Sequence, residues 1–322
     1  MTRTRICDLL GIRYPIFQGG MLWLATAGLA SAVSDAGALG VVSPFAGMGM
    51  DDEPAKNLEI QIRRAKGATN KPFGVNIPLD LRESGILVDV VLREKPQIVI
   101  TAAGNPKNYT EVLKNSGMRV FHVVSSVKHA RLAESCGVDG IIAEGVEAAA
   151  HNGINELPLF SLIPQVADAV SVPVVAAGGI VDARGVVAAL SLGAEGVQLG
   201  TRFVVVDENI AHPHYKRAII EAQDTDTVIT ARKLLPTRSL KTGFSTRLLQ
   251  LEESGASIDE IRAFIGYRRA RKAQLEGDLS EGEAYCGASA GLVKECIPAS
   301  EVIQRLVEGY EEIVKTLIRI DK

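Results

Sequence analysis

His151 stands in the stretch AEGVEAAAHNGINELP, behind a run of small residues and ahead of Asn152-Gly153. An imidazole titrates near neutrality, so a histidine in a flexible small-residue loop is a candidate general acid or base. Two other stretches strip the chain down to its backbone. Ala177-Gly178-Gly179 ends the apolar run VVAA, and Gly200-Thr201 ends the run VQL. Lacking a Cβ, glycine lets main-chain N–H groups come close to an anion, and Thr201 adds a hydroxyl donor. A helix N-terminus beyond each turn would add a favourable dipole. Tight turns with no ligand are the plainer use of the same residues. Amide side chains at Asn76 and Gln198 can hydrogen-bond the edge of a heterocycle, and Met21, in the run Gly20-Met21-Leu22, can pack on its face. Gln18 and Gln198 could instead be polar members of an interior, and Asn76 could cap its own loop. Glu144 can pair with a cation or a hydroxyl, or cap a loop. The remaining histidines read more plainly. His122 falls inside a strand, His129 on a helix surface, and His212 and His214 stand two apart with no third ligand nearby in sequence.

These residues need a frame that gathers them. Eight apolar runs read as strands: 15–18, 39–42, 72–76, 98–101, 120–124, 140–144, 174–177 and 197–200. They are continuous rather than alternating, as in strands buried on both faces of a parallel sheet. Helix-like stretches such as KHARLAESCG and RGVVAALSLG lie between them, and Gly37, Gly117, Gly137 and Gly193 sit where left-handed C-caps are expected. Strand-then-helix units in this number predict an α/β fold, a (β/α)8 TIM barrel. A doubly wound open sheet is the weaker choice, because no G-x-G-x-x-G follows the first strand. In such a barrel the chemistry sits at the C-terminal ends of the strands, with phosphate commonly bound after strands seven and eight. Both glycine turns fall there. After strand eight the charges become dense and no strand signal is read, which predicts a small helical lid. The expected division is 1–211 for the barrel, 212–282 for the lid and substrate region, and 283–322 for a C-terminal segment returning to the barrel.

Composition limits the partners. A net charge of −3 and an aromatic content of 5% argue against nucleic-acid binding. No uncharged apolar run is long enough for a membrane span, and the N-terminus lacks a signal-like apolar core. The four cysteines have no CxxC spacing, so free thiols in a reducing cytoplasm are expected, with no metal site. The basic residues of the lid read mostly as a solvated face, with recognition of an acidic partner or a dinucleotide phosphate as the minor reading.

Taken together, YPIFQGGM, KPFGVNI, IIAEGVEAAAH, PVVAAGGI and VQLGTRF resemble the nitronate monooxygenase family, formerly called 2-nitropropane dioxygenases. That family includes flavin-type enoyl-acyl-carrier-protein reductases and NADH:quinone reductases. The resemblance spans nearly the whole chain. It implies a barrel that holds FMN, with phosphate at Ala177, Gly178, Gly179, Gly200 and Thr201. It places the ring near Gly20, Met21, Leu22, Asn76 and Gln198, and His151 in the position of the catalytic histidine; Glu144 could pair with a ribityl hydroxyl of that cofactor. It implies oxidation of alkyl nitronates with oxygen. The alternative is NAD(P)H-dependent reduction of an enoyl thioester or quinone, with NAD(P)H as co-substrate and an acyl carrier protein as partner. A small-molecule substrate and a homodimer are expected in either case. A flavin-free phosphosugar lyase is disfavoured, because no lysine ends a strand. Departures from the family pattern are Ala149-Ala150 in place of Gly-Gly, VVSPFAG after strand two, Ala288 in CGASAGL, and VITAAGNP at strand four. All four are expected in the pocket.

Overall fold

Each apolar run forms a strand in the computed structural model, which describes residues 1–49 and 52–318. The strands are β1 Ile16–Gln18, β2 Gly40–Val42, β3 Phe73–Pro78, β4 Ile98–Ala102, β5 Arg119–Val124, β6 Gly140–Glu144, β7 Ala150–His151, β8 Val174–Ala177, β9 Gly196–Leu199, β10 Thr227–Thr230 and β11 Thr237–Leu240. Eight of them form one parallel sheet in the order β1-β9-β8-β6-β5-β4-β3-β2. The sheet closes where Phe17 bridges Leu39. Gln18 N–H donates to Leu39 O at 2.9 Å, and Leu39 N–H donates to Ile16 O at 2.8 Å. The Gln18 side chain serves this seam too, its Oε1 accepting from Val41 N–H at 2.9 Å. The chain is thus the expected (β/α)8 barrel.

Alternation along each strand sorts side chains into two cores. Phe17, Leu39, Val41, Ile98, Ile100, Phe121, Ile142 and Val175 fill the interior, with Phe17 and Phe121 edge to face at 5.7 Å. Ile6 and Leu10 of the N-terminal helix Arg5–Leu10 join this cluster and plug one end. The neighbours Ile16, Val75, Val99, Val120, Ile141, Val174 and Val197 point outward against the helices. The four glycines expected at helix ends all have left-handed φ, from 86 to 100°. The long helix Ala299–Ile318 packs on the helices Ala183–Ser191 and Ala27–Asp35, completing the outer ring. The final expected residues of this segment, 319–322, lie outside the described ones.

The insertion after β9 is not purely helical. β10 and β11 form an antiparallel hairpin, and β11 pairs with β7, which carries His151. The sequence signal was present in the β-branched run Thr227-Val228-Ile229-Thr230. Strands of four residues gain most of their stability from tertiary partners, here Ala150-His151 and a bridge from Ser239 to Tyr285. The insert has its own small core of Phe244, Leu248, Ala256 and Ile261. A second cluster, including Trp23, Phe45, Tyr215, Leu240 and Cys286, joins it to the barrel rim. Among the described residues no helix is long and apolar enough to cross a membrane.

Candidate active site

The alternation that fills the barrel with aliphatic side chains also sets what caps it. Asn76, Glu144, Ala177 and Gln198 fall on the inward register at the C-terminal ends of β3, β6, β8 and β9. Glu144 pairs in register with Ala177, and Ala177 with Gln198. They floor a cavity of about 250 Å³. His151, Gly20, Met21, Leu22, Gly178, Gly179, Gly200 and Thr201 also line it. The glycine turns, Met21, Leu22, Asn76, Glu144, Gln198 and His151 therefore meet at one rim, while Gln18 stays in the seam.

The two glycine turns leave backbone donors facing this space. Gly178 has φ 105°, and a Cβ there would lie 2.9 Å from Gly145 O, so the turn requires glycine. At Gly200 a Cβ would meet nothing within 4 Å, because that side of the backbone faces open space. Among the described residues, the N–H groups of Gly179, Gly200 and Thr201 make no hydrogen bond outside regular helices and strands. The Thr201 hydroxyl accepts from Gly287 N–H at 3.0 Å and lies against the Cys286 thiol at the edge of this space. Two buried amide oxygens on the lining, Gln198 Oε1 and Gln274 Oε1, have no donor among the described residues. Unused donors at one end and unused acceptors elsewhere fit a ligand carrying an anionic tail and ring N–H groups. Asn76 Nδ2 donates to Ile100 O at 3.3 Å. A Cβ on Gly20 would come within 2.6 Å of the Asn76 side chain, so the glycine makes room for the amide.

The charges are tuned by exclusion of water. Burial pushes the Glu144 carboxyl up from 4.5 to about 7. Desolvation lowers the pKa of His151, with Asp80 acting the other way, although the residue keeps an exposed side. Its edge lies against Tyr285, with centroids 6.0 Å apart.

The small-residue loop of His151 is tied down by hydrogen bonds. Glu147 accepts from Leu159 N–H at 2.9 Å, Arg238 Nε donates to Val146 O at 2.9 Å, and Asn152 N–H donates to Pro236 O at 2.8 Å. Ala150 adopts φ 64°, a left-handed conformation that glycine would take more readily. Of the departures expected in the pocket, Ala149 and Ala150 do line it, and Ala288 lies between two lining residues, Gly287 and Ser289. The segments after β2 and β4 are not on the lining; they pack elsewhere on the rim, with Ser43 N–H bonded to Ala25 O.

Sequence reasoning missed the contribution of the insert and the C-terminal segment. Tyr215, Gln274, Tyr285, Gly287 and Ser289 all line the cavity. Ser289 Oγ donates to Gly179 O at 2.6 Å, and Tyr215 O–H donates to Tyr285 O. The small residues of CGASAG were the available signal. The other histidines hold structural places. His122 is buried and bonded to Thr101 Oγ1 at 2.7 Å, His129 is exposed, and His212 Nδ1 caps a helix by accepting from His214 N–H. Several of the insert's arginines are paired, Arg247–Glu281, Arg262–Asp259 and Arg271–Glu276 within it and Arg232 with Glu156 of the barrel. That weakens the reading of this face as an anion-binding surface.

Comparison with known proteins gives a consistent picture. The sequence model of nitronate monooxygenase matches residues 3–85 and 83–309. FabK from Thermotoga maritima is 41% identical, with a TM-score of 0.92 covering 98% of this chain and 99% of that one. A nitronate monooxygenase of Pseudomonas aeruginosa is 31% identical over 94% of this chain and 98% of its own. A (3aS,4S,5R,7aS)-5-hydroxy-7a-methyl-1-oxo-octahydro-1H-indene-4-carboxyl-CoA dehydrogenase of Mycobacterium tuberculosis is 37% identical over 79% of this chain and 69% of its own.

Proposed function

The chain belongs to the nitronate monooxygenase family, a group of flavin-dependent oxidoreductases, and on that premise we propose that it binds FMN and oxidises alkyl nitronates with molecular oxygen. The observation that carries the proposal is the cavity itself, where unpartnered backbone N–H groups, orphaned amide oxygens and an imidazole converge. Gly178, Gly179, Gly200 and Thr201 would hold the phosphate, and Gly20, Met21, Asn76 and Gln198 would hold the ring. When bound, the flavin accepts electrons from the organic substrate and passes them to oxygen.

His151 supplies the base. A neutral nitroalkane must lose the proton on the carbon that bears the nitro group before it becomes a nitronate. His151 takes that proton on a ring nitrogen and becomes imidazolium, which then steadies the new anion beside it. Desolvation favours the neutral ring, the form that can take up the proton.

The likeness to FabK supports a second reading: hydride from NAD(P)H delivered to an enoyl thioester, with an acyl carrier protein presenting the substrate. That reaction needs a proton donor at the site, where the first needs a base. The test mixes flavin-loaded protein, without oxygen, with propyl-2-nitronate, NADH or NADPH. Rapid bleaching by the nitronate is expected. Bleaching by a nicotinamide nucleotide alone would replace the first reading with the second. Colourless protein that takes up no FMN would overturn both.

A further inference from the structure

Resting on His151 as the base of this site, we propose that Thr237, on the inserted hairpin, is a positioning residue that fixes the tautomer of His151 and presents an unprotonated Nε2 to the cavity. His151 Nδ1 lies 3.0 Å from Thr237 Oγ1. Thr237 Oγ1 also donates to Leu235 O at 2.9 Å. A hydroxyl has one proton, and a carbonyl can only accept. With that proton spent on Leu235, the oxygen can only accept from the imidazole. Nδ1 therefore carries the hydrogen, and in the neutral ring Nε2 is left with a lone pair. Free histidine in water prefers the opposite tautomer, so the threonine reverses the intrinsic preference.

The geometry is held from several sides. Thr237 and His151 are register partners in the β11–β7 pairing, and Asn152 N–H is bonded to Pro236 O. Thr237 is only 2% exposed, so water does not compete for its oxygen. The left-handed turn at Ala150 sets the direction in which the next residue leaves the loop. The insert thus reaches across 86 residues of sequence to orient the base. For the other tautomer, Thr237 would have to give up the Leu235 carbonyl, a bond that corresponds to roughly a five- to tenfold preference in population.

The test is a nitrogen-15 spectrum of the full-length protein as purified, with His151 signals assigned from their loss in His151→Ala. We expect a pyrrole-type Nδ1 and a pyridine-type Nε2. Thr237→Val should shift the population toward protonated Nε2, and Thr237→Ser should restore it. In turnover, Thr237→Val should slow a neutral nitroalkane roughly five- to tenfold more than the preformed nitronate, because only the former needs the base. A protonated Nε2 in the wild-type protein would overturn the proposal, as would a Thr237→Val spectrum unchanged from it. Equal loss on both substrates would reduce Thr237 to a packing role. If neither substrate reacts while the spectra behave as expected, the functional reading fails and the tautomer assignment stands alone.

Discussion

Replacing Glu144 with glutamine should make the flavin-free protein more stable, and more so as pH rises. The carboxyl ends β6 on the floor of the cavity, and burial lifts it from 4.5 to about 7. Its folded pKa lies above the unfolded one. The folded state therefore holds the extra proton, and stability falls as pH rises from 4.5 through 7. Below that window the penalty vanishes, and above it the penalty is complete. Linkage gives a cost of at most ~1 kcal/mol at about pH 5 and ~3 kcal/mol at about pH 8. Glu144→Gln removes this titration while keeping the shape. Whatever the new amide costs is the same at both pH values, so the difference between them isolates the charge. An unfolding entropy of about 2.1 cal/mol/K per residue gives ~0.7 kcal/mol/K for 322 residues. The gain in Tm on substitution should then be ~3 °C larger near about pH 8 than near about pH 5. Scanning calorimetry of both proteins at the two pH values measures it. An equal change at both pH values, or a greater loss at high pH, would show that Glu144 is solvated or paired and would refute the burial argument.

Other expectations concern the cradle, the base and its support. Gly200→Val puts a side chain into the open space beyond that backbone, so FMN affinity should fall more than tenfold while the flavin-free Tm stays within the range of a ~0.5 kcal/mol change; equilibrium dialysis that finds unchanged affinity would place the phosphate elsewhere. His151→Ala should lower turnover of neutral nitroalkanes by at least about a hundredfold with little change in FMN binding, and loss of flavin at constant activity per bound flavin would contradict that role. Because desolvation lowers His151, the acidic limb of kcat/KM against pH should bend below 6.5, and a bend above it would mean a protonated ring in the free enzyme. Ala150→Val forces a β-branched residue into left-handed backbone at φ 64° and should cost ~1–3 kcal/mol, read as a fall in Tm. A neutral outcome would mean that the turn relaxes.

Much of the site was legible because barrel geometry makes sequence position and spatial position equivalent. A residue that ends a parallel strand lies at the rim, and small residues there expose backbone. The glycines at 178, 179 and 200, Asn76, Gln198 and His151 could therefore be gathered from spacing alone. Gln18 was ambiguous because the same amide suits a pocket or a seam. Only the position of the Phe17–Leu39 bridge assigns it to the seam. The hairpin at 227–240 went unread because strands of four residues owe their existence to their partners. Tyr285 and Gln274 carry no local sign of reaching the cavity.

The sequence by itself determined the cylinder, its polarity and the bare backbone at its rim, since these follow from apolar periodicity and the placement of glycine. Tertiary structure alone decided how the imidazole is held, which of its nitrogens faces the cavity and which carboxyl floats near neutrality. Those properties depend on groups far apart in the chain, brought within about 3 Å of one another or walled off from water by packing.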